Sequence, residues 1–228
     1  MSGYRHEWKY LVSSAQIPLL RSRITRIMQP DAHVNENGSY LVRSLYFDDP
    51  QNRCYYENEN GTDPREKYRL RIYNHDTDRI ALECKRKERG MVRKTSCLLT
   101  IAQAQSLLRG EAIQETDQNE PFLQAFCAKM RMQQLRPAVI VEYERIPFVY
   151  APGNVRITFD LHISSCAPCS GFLSPALQKR PVMPPGQHLM EVKYDAFLPD
   201  YLYRGLHLGT LQQTAYSKYY LCRKFALE

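Results

Sequence analysis

No stretch of this 228-residue sequence approaches the roughly 20 consecutive apolar residues needed to cross a bilayer, and its first residues hold no apolar run of the secretory kind. A soluble, cytoplasmic protein is therefore expected, without insertion into a membrane. Flexible linkers, internal repeats and low-complexity tracts are also missing, so the chain reads as one domain spanning 1–228. An even, framework-like set of cysteines is lacking. Cys54, Cys84, Cys97, Cys127, Cys166, Cys169 and Cys222 are odd in number and scattered, which predicts reduced thiols. A second CxxC or CxxH pair is lacking too, so His162, Cys166 and Cys169 read as flanking a turn punctuated by Pro168 and Gly171 rather than as a zinc site. Nor is there a surplus of negative charge. The net charge of +7 and a pI near 9.0 favour an anionic partner such as nucleotide, polyphosphate, nucleic acid or anionic lipid.

What the chain does have is charge on alternate residues of strand-like segments. In Lys67-Tyr68-Arg69-Leu70-Arg71-Ile72-Tyr73 the cations hold one parity, so a strand here shows one basic face. Ile80, Leu82 and Cys84 then alternate with Ala81, Glu83, Lys85 and Lys87. The same grammar returns at Arg5–Tyr10, Ile140–Arg145, Arg156–Asp160 and Met190–Tyr194. A single strand of this kind is explained by a solvated sheet face. Its recurrence fits a closed barrel better, with the apolar parity packed outward on helices and the charged parity facing a wet lumen. Nucleic-acid binding is disfavoured, because its basic helix or exposed aromatic and cationic sheet is not evident.

Helices are few. Ser13 or Ser14 can cap one over 15–28, with Ile17, Leu20, Ile24 and Ile27 at helical spacing. Thr100 and Gln103 form a capping-box pattern ahead of 104–108, with Gly110 at its stop; Pro121 can open a third helix through Met132, and Ser217 a fourth. Asn60-Gly61 reads as a turn before the first basic strand.

The ordered set Glu7-x-Lys9, Lys67-x-Arg69-x-Arg71-x-Tyr73, Glu83-x-Lys85, Lys94, Tyr143-x-Arg145, Arg156-x-x-x-Asp160, Glu191-x-Lys193 and Ser217-Lys218-Tyr219 resembles the VTC-type polyphosphate polymerase domain of the triphosphate tunnel metalloenzymes, a CYTH-like superfamily. The resemblance runs from Arg5 to Tyr219. It implies an α+β fold: an eight-stranded antiparallel β-barrel tunnel with flanking helices. The related cyclase and thiamine-triphosphatase branch carries ExExK on the first strand, whereas Arg5, Glu7 and Lys9 stand here. With Arg in the first place, weaker metal binding and stronger phosphate binding are expected of that strand, which favours the polymerase branch.

By the same resemblance, Arg69, Arg71, Lys85, Arg145 and Arg156 bind the phosphates of ATP, with Lys9 and Lys218 completing the ring. Lys67, Lys87, Lys94, Lys193 and Ser217 are further phosphate-binding candidates. Glu191 is the expected ligand of Mn²⁺ or Mg²⁺. Glu7, Glu83 and Glu142 are additional candidate ligands, with ion pairing to neighbouring cations as the alternative for Glu83 and Glu142. Asp160 is read as positioning Arg156, and Tyr216, Tyr219 and Tyr220 as packing residues. The implied reaction is ATP-dependent elongation of inorganic polyphosphate or pyrophosphate, with a membrane-protein partner conceivable by analogy with relatives. A non-catalytic polyphosphate-binding module and a metal-dependent tripolyphosphatase are the alternatives.

Overall fold

Alternating charge along so many strands demands a sheet with two different faces, and the chain builds one antiparallel sheet that curls its two ends together. The computed structural model describes residues 3–114 and 120–227. Among these, eleven strands occur: β1 (His6–Ser13), β2 (Gln29–Pro30), β3 (Tyr40–Asp48), β4 (Arg65–Tyr73), β5 (Ile80–Glu88), β6 (Met91–Leu99), β7 (Arg136–Tyr150), β8 (Val155–Ala167), β9 (Gln178–Pro181), β10 (Gln187–Tyr194) and β11 (Gln212–Gln213). The hydrogen-bonded order is β11-β1-β10-β8-β7-β3-β4-β5-β6, with β2 on β7 and β9 on β8. The path is open. At its ends, Arg5 and Val92 exchange two backbone hydrogen bonds of 2.9 Å, and among the described residues that bridge is the whole main-chain hydrogen-bonded link between the β1 and β6 ends. The expected closed eight-stranded barrel is thus corrected to an eleven-stranded open sheet. Its three shortest members, β2, β9 and β11, have two to four residues each and carry no readable periodicity.

The outer face is apolar and covered by helices. Leu70, Ile72, Ile80 and Leu82 of β4 and β5 pack on Leu107 of α3 (Ile101–Leu108) and on Leu123 and Phe126 of α4 (Pro121–Gln133); α1 (Gln16–Ile24) and α5 (Asp200–Gly205) cover Tyr10, Val12, Ile157, Phe159 and Val192. α2 (Arg53–Glu59) and α5 were not anticipated from the sequence. The capping box of Thr100 and Gln103 forms, and Pro121 opens α4. α1 is shorter than expected. Ser13 Oγ accepts from Gln16 N at 3.2 Å while Gln16 Oε1 accepts from Ser13 N at 2.8 Å, but the helix stops at Ile24 and leaves Ile27 partly exposed. Arg89 and Gly90, with φ of 50° and 77°, make the two-residue turn between β5 and β6 that matches strand twist. Gly90 fits this left-handed geometry without a Cβ penalty.

α6 (Lys218–Leu227) departs from the expected outer position of helices. Its Tyr219 and Cys222 pack on Val42, Val139, Val141 and Leu189, residues of the inner face, and close one part of it with apolar side chains. Cys169–Gly171 form a single 3-10 turn, as the punctuation by Pro168 and Gly171 suggested, and all seven cysteines are free thiols. No described helix is long and apolar enough to cross a membrane.

Candidate functional site

Register carries the charged parities of β1, β4, β5, β6, β8 and β10 onto the inner face. Lys67 stands directly opposite Lys85, and Lys85 opposite Lys94; in the next row Arg65 faces Lys87. Like charges directly opposed on a sheet are destabilising. Glu7 offsets Lys85 and Glu83 offsets Lys94, while Lys67 has no carboxylate partner among the described residues. Farther along, Arg69 faces Glu83, Glu7 faces Lys193, Lys9 faces Glu191, and Arg145 faces Asp160.

Four carboxylates distribute themselves among these cations. Glu83 takes Arg69 at 2.7 Å, Lys94 at 3.2 Å and Arg71 at 3.5 Å. Glu7 takes Lys85 at 2.8 Å and Lys9 at 3.4 Å, with Lys193 at 3.7 Å. Glu191 holds Lys218 at 2.5 Å, Lys193 at 2.7 Å and Arg145 at 3.5 Å. Asp160, wholly buried, is gripped by Arg145 through two hydrogen bonds of 2.7 and 2.8 Å and by Lys218 at 2.5 Å. Asp160 thus positions Arg145, not Arg156 as the sequence suggested. The bidentate fork and the buried surroundings make this the most rigid pair of the site.

Burial would push each of these carboxyls up, but the cations outweigh it. Lys193, Lys218, Arg145 and Lys9 hold Glu191 well below the usual carboxylate range, and Lys85, Lys193 and Lys9 do the same for Glu7. Arg71, Arg69 and Lys94 lower Glu83 likewise. Lys67 is the contrast. Among the described residues its ammonium donates only to neutral oxygens, Asn58 Oδ1 at 2.7 Å and Ser217 Oγ at 3.1 Å, and lies 4.7 Å from the Tyr219 ring centre. Burial, with Arg65, Lys9 and Lys85 adding to it, lowers the Lys67 ammonium well below the ordinary lysine range. Half-buried Lys87 shifts the same way, through burial and then Arg65 and Lys9.

Tyrosines hold the arginines in place, and the sequence reading missed most of them. Tyr46 OH accepts from Arg69 at 2.9 Å, Tyr40 OH from Arg156 at 2.9 Å, and Arg145 lies 5.1 Å from the Tyr143 ring centre. Ser44 Oγ accepts from Arg71 at 3.2 Å, and Asp31 pairs with Arg156 at 2.8 Å. A signal existed: Tyr40, Val42, Ser44 and Tyr46 share one parity of β3. The one cation of that strand, Arg43, lies on the other.

The sequence-derived residues Lys9, Lys67, Arg69, Arg71, Glu83, Lys85, Arg145, Arg156, Glu191 and Lys193 all fall on this inner face, and Ser217 and Lys218 reach it from the start of α6. Lys94 lies at its β6 edge, bonded to Glu83, and Lys87 in the Arg65 row. Glu142 is a correction. It sits three residues from Arg145, so the two-residue period turns it to the outer face, where it binds fully buried Arg43 at 2.5 Å, His75 at 3.1 Å and Lys179. Arg5, whose place before Glu7 raised the expectation of stronger phosphate binding by that strand, pairs with Asp195 at 2.7 Å and donates to Asn154 O at 2.6 Å. Tyr219 and Tyr220 pack, the latter stacked on Tyr55 at 4.9 Å, whereas Tyr216 is exposed and its carbonyl accepts from Lys9 at 2.7 Å.

Among the described residues, no three His, Cys, Asp or Glu side chains gather as a protein-only metal cage. Mg²⁺ and similar ions are commonly held by one or two carboxylates with substrate phosphates completing the shell. Glu191 suits that manner of binding as a lone buried carboxylate among Lys9, Lys193, Lys218 and Arg145, cations that an incoming phosphate can draw off, and it faces the buried hydroxyl of Thr158 across the sheet. A separate cavity of about 260 Å³ lies between α2, β4 and α4, and its charged lining is self-neutralised by Arg53 with Glu57 and by Lys129 and Arg86 with Glu66.

In fold, the chain is similar to the PH1819 protein of Pyrococcus horikoshii OT3, with a TM-score of 0.51 at 12% identity over 97% of this chain and 99% of that one. It is likewise similar to a putative adenylate cyclase from Bacillus halodurans, with a TM-score of 0.50 at 14% identity over 90% of this chain and 88% of the other. At such identities the likeness is one of architecture. A search of curated proteins gave no match. A family model, the VTC domain, matches residues 4–227, nearly the whole chain and the same span that carries the charged inner face. This protein belongs to the VTC domain family.

Proposed function

We propose that this protein is a polyphosphate polymerase that transfers the γ-phosphate of ATP to a growing inorganic polyphosphate chain along its basic inner face. The observation that carries this reading is the row Lys67–Lys85–Lys94 beside the row Arg65–Lys87, like charges set opposite one another with no carboxylate on Lys67. An extended polyanion would relieve that repulsion along its length, whereas a single phosphate would relieve only part of it.

In this reading Arg69, Arg71, Lys85, Arg145 and Arg156 grip the nucleotide phosphates, the arginines as planar forks and the lysine as a point charge. Tyr40, Tyr46 and Asp160 keep those forks aimed before substrate arrives, so little reorganisation is left for the reaction itself. Lys9 and Lys218 stabilise charge on the transferred phosphoryl group. A terminal oxygen of the polyphosphate chain forms the new bond to the γ-phosphorus, the bond to the β,γ-bridging oxygen breaks, and ADP departs with that electron pair. The attacking oxygen is already anionic and needs no side-chain base. Glu191 would hold Mn²⁺ or Mg²⁺, which when bound neutralises phosphate charge.

Incubation of purified protein with ATP and Mn²⁺, resolving ADP, free phosphate and polymer, tests the proposal. Polymer with stoichiometric ADP is expected. Free phosphate without polymer would replace it with a tripolyphosphatase, and binding without ATP consumption with a regulatory module.

A further inference from the structure

Thr158 is fully buried on the inner face of β8, and its hydroxyl has no hydrogen-bond partner among the described residues. A buried hydroxyl left unpaired is costly, and such orphans in native proteins commonly await water, an ion or a ligand. Its surroundings narrow the choice. Register places Thr158 directly opposite Glu191 on β10 and opposite Pro147 on β7, so Glu191 is its one polar cross-strand neighbour. The neighbours two positions away along the same face are engaged elsewhere: Arg156 with Tyr40 and Asp31, Asp160 with Arg145 and Lys218.

We infer that Thr158 Oγ1 is a second protein oxygen for the divalent cation, beside Glu191. The inference rests on the reading of Glu191 as the metal carboxylate. Directly opposed residues of a sheet have Cβ atoms about 4.5–5.5 Å apart, a separation from which a hydroxyl and a carboxylate can converge on one ion. A carboxylate paired with a Ser or Thr hydroxyl is an established way of holding the ion in phosphoryl-transfer sites, where phosphate oxygens supply further positions. Hard oxygen donors of this kind suit Mg²⁺ and Mn²⁺. Lys218 takes Glu191 Oε1, while Lys193 and Arg145 share Oε2 at 2.7 and 3.5 Å; Lys193 also lies 3.7 Å from Glu7, so a shift of its flexible stem toward Glu7 or an incoming phosphate removes the shorter contact on Oε2.

The test is a titration of Mn²⁺ by electron paramagnetic resonance in the presence of a non-hydrolysable ATP analogue, using wild type, Thr158→Val, Thr158→Ser and Glu191→Gln. Valine keeps the volume and removes only the hydroxyl. Thr158→Val is expected to weaken Mn²⁺ binding about tenfold or more, with Thr158→Ser restoring it. Tripolyphosphate affinity in EDTA should be unchanged in both, and the melting temperature of the valine variant unchanged or raised. Loss of Mn²⁺ affinity in Glu191→Gln but not in Thr158→Val would overturn the role of Thr158 and leave that of Glu191 intact. Unchanged affinity in both variants would overturn the metal reading itself. An equal loss of tripolyphosphate affinity in EDTA would make Thr158 a phosphate contact and also overturn the inference. If the valine variant failed to fold, Thr158→Ala would carry the same comparison.

Discussion

A half-buried ammonium with no carboxylate bonded to it among the described residues is the group in this protein whose behaviour on ligand binding is easiest to forecast. Lys67 is lowered well below the usual lysine range by burial and by Arg65, Lys9 and Lys85, so part of its population is neutral in alkaline buffer before an anion arrives. A polyanion favours the charged form. Binding of tripolyphosphate should therefore take up protons, and affinity should fall as pH rises through the window between the depressed value and the ordinary one near 10.5. Titration calorimetry in buffers of different ionisation enthalpy would show the uptake, and Lys67→Met should remove part of it. The same depression means that the unfolded chain binds more protons in that window, so folding stability attributable to Lys67 rises with pH there. Lys67→Met should accordingly stabilise the protein against urea at neutral pH while weakening anion binding, and a parallel loss of both would contradict the picture. Among the gripping residues, Arg71→Ala should cost about 1.5–3 kcal/mol of tripolyphosphate binding, the usual worth of a charged hydrogen bond. Glu191→Gln should abolish ATP turnover while much of the polyanion affinity persists, because the phosphate donors stay in place.

Elements were legible in proportion to how purely they segregate charge. β4 and β5 place every lysine and arginine from Lys67 to Lys85 on one parity and Leu70, Ile72, Ile80 and Leu82 on the other, so both their faces could be read from spacing. β3 could not be read that way, because its inner parity is Tyr, Val, Ser and Tyr while Arg43 is outward and wholly buried. In β7 the register shifts against β8 between Glu142 and Glu144, and nearness in sequence to Arg145 concealed that Glu142 belongs to the opposite face. The helix-covered outer side makes its own forecast. Leu82 is fully buried between β4, β5 and α4, and Leu82→Ala should cost about 2–5 kcal/mol by urea denaturation. Lys94, at the exposed β6 edge, should tolerate Lys94→Ala with no comparable loss.

Over the whole molecule, the charged inner face was legible in the sequence and the open path of the sheet was not. Alternation fixes which side of a strand carries the charge, but the contact of the two sheet ends depends on pairings between strands far apart in sequence, which no local pattern encodes. Because the cations are spread over β1, β4, β5, β8 and β10, an extended anion should clamp the sheet as a unit. At 100 times its dissociation constant, tripolyphosphate should add about 2.7 kcal/mol of stability, roughly 5–10 °C in melting temperature for a chain of this size. Orthophosphate at equal total phosphorus should give a much smaller shift in scanning calorimetry. Equal shifts would argue for a single-phosphate site.

The position of β1 in the sheet order bears on how the chain is made as well as on what it holds. Its ladder partner β10 follows about 180 residues later. At ribosomal speeds of about 5–20 residues per second, β1 therefore waits roughly 10–40 s for that partner after it is synthesised. During this interval Trp8, Tyr10 and Val12, destined for the outer apolar layer, stay uncovered by β10. β1 is thus exposed longest before its long ladder forms, and β10 is the strand that completes it.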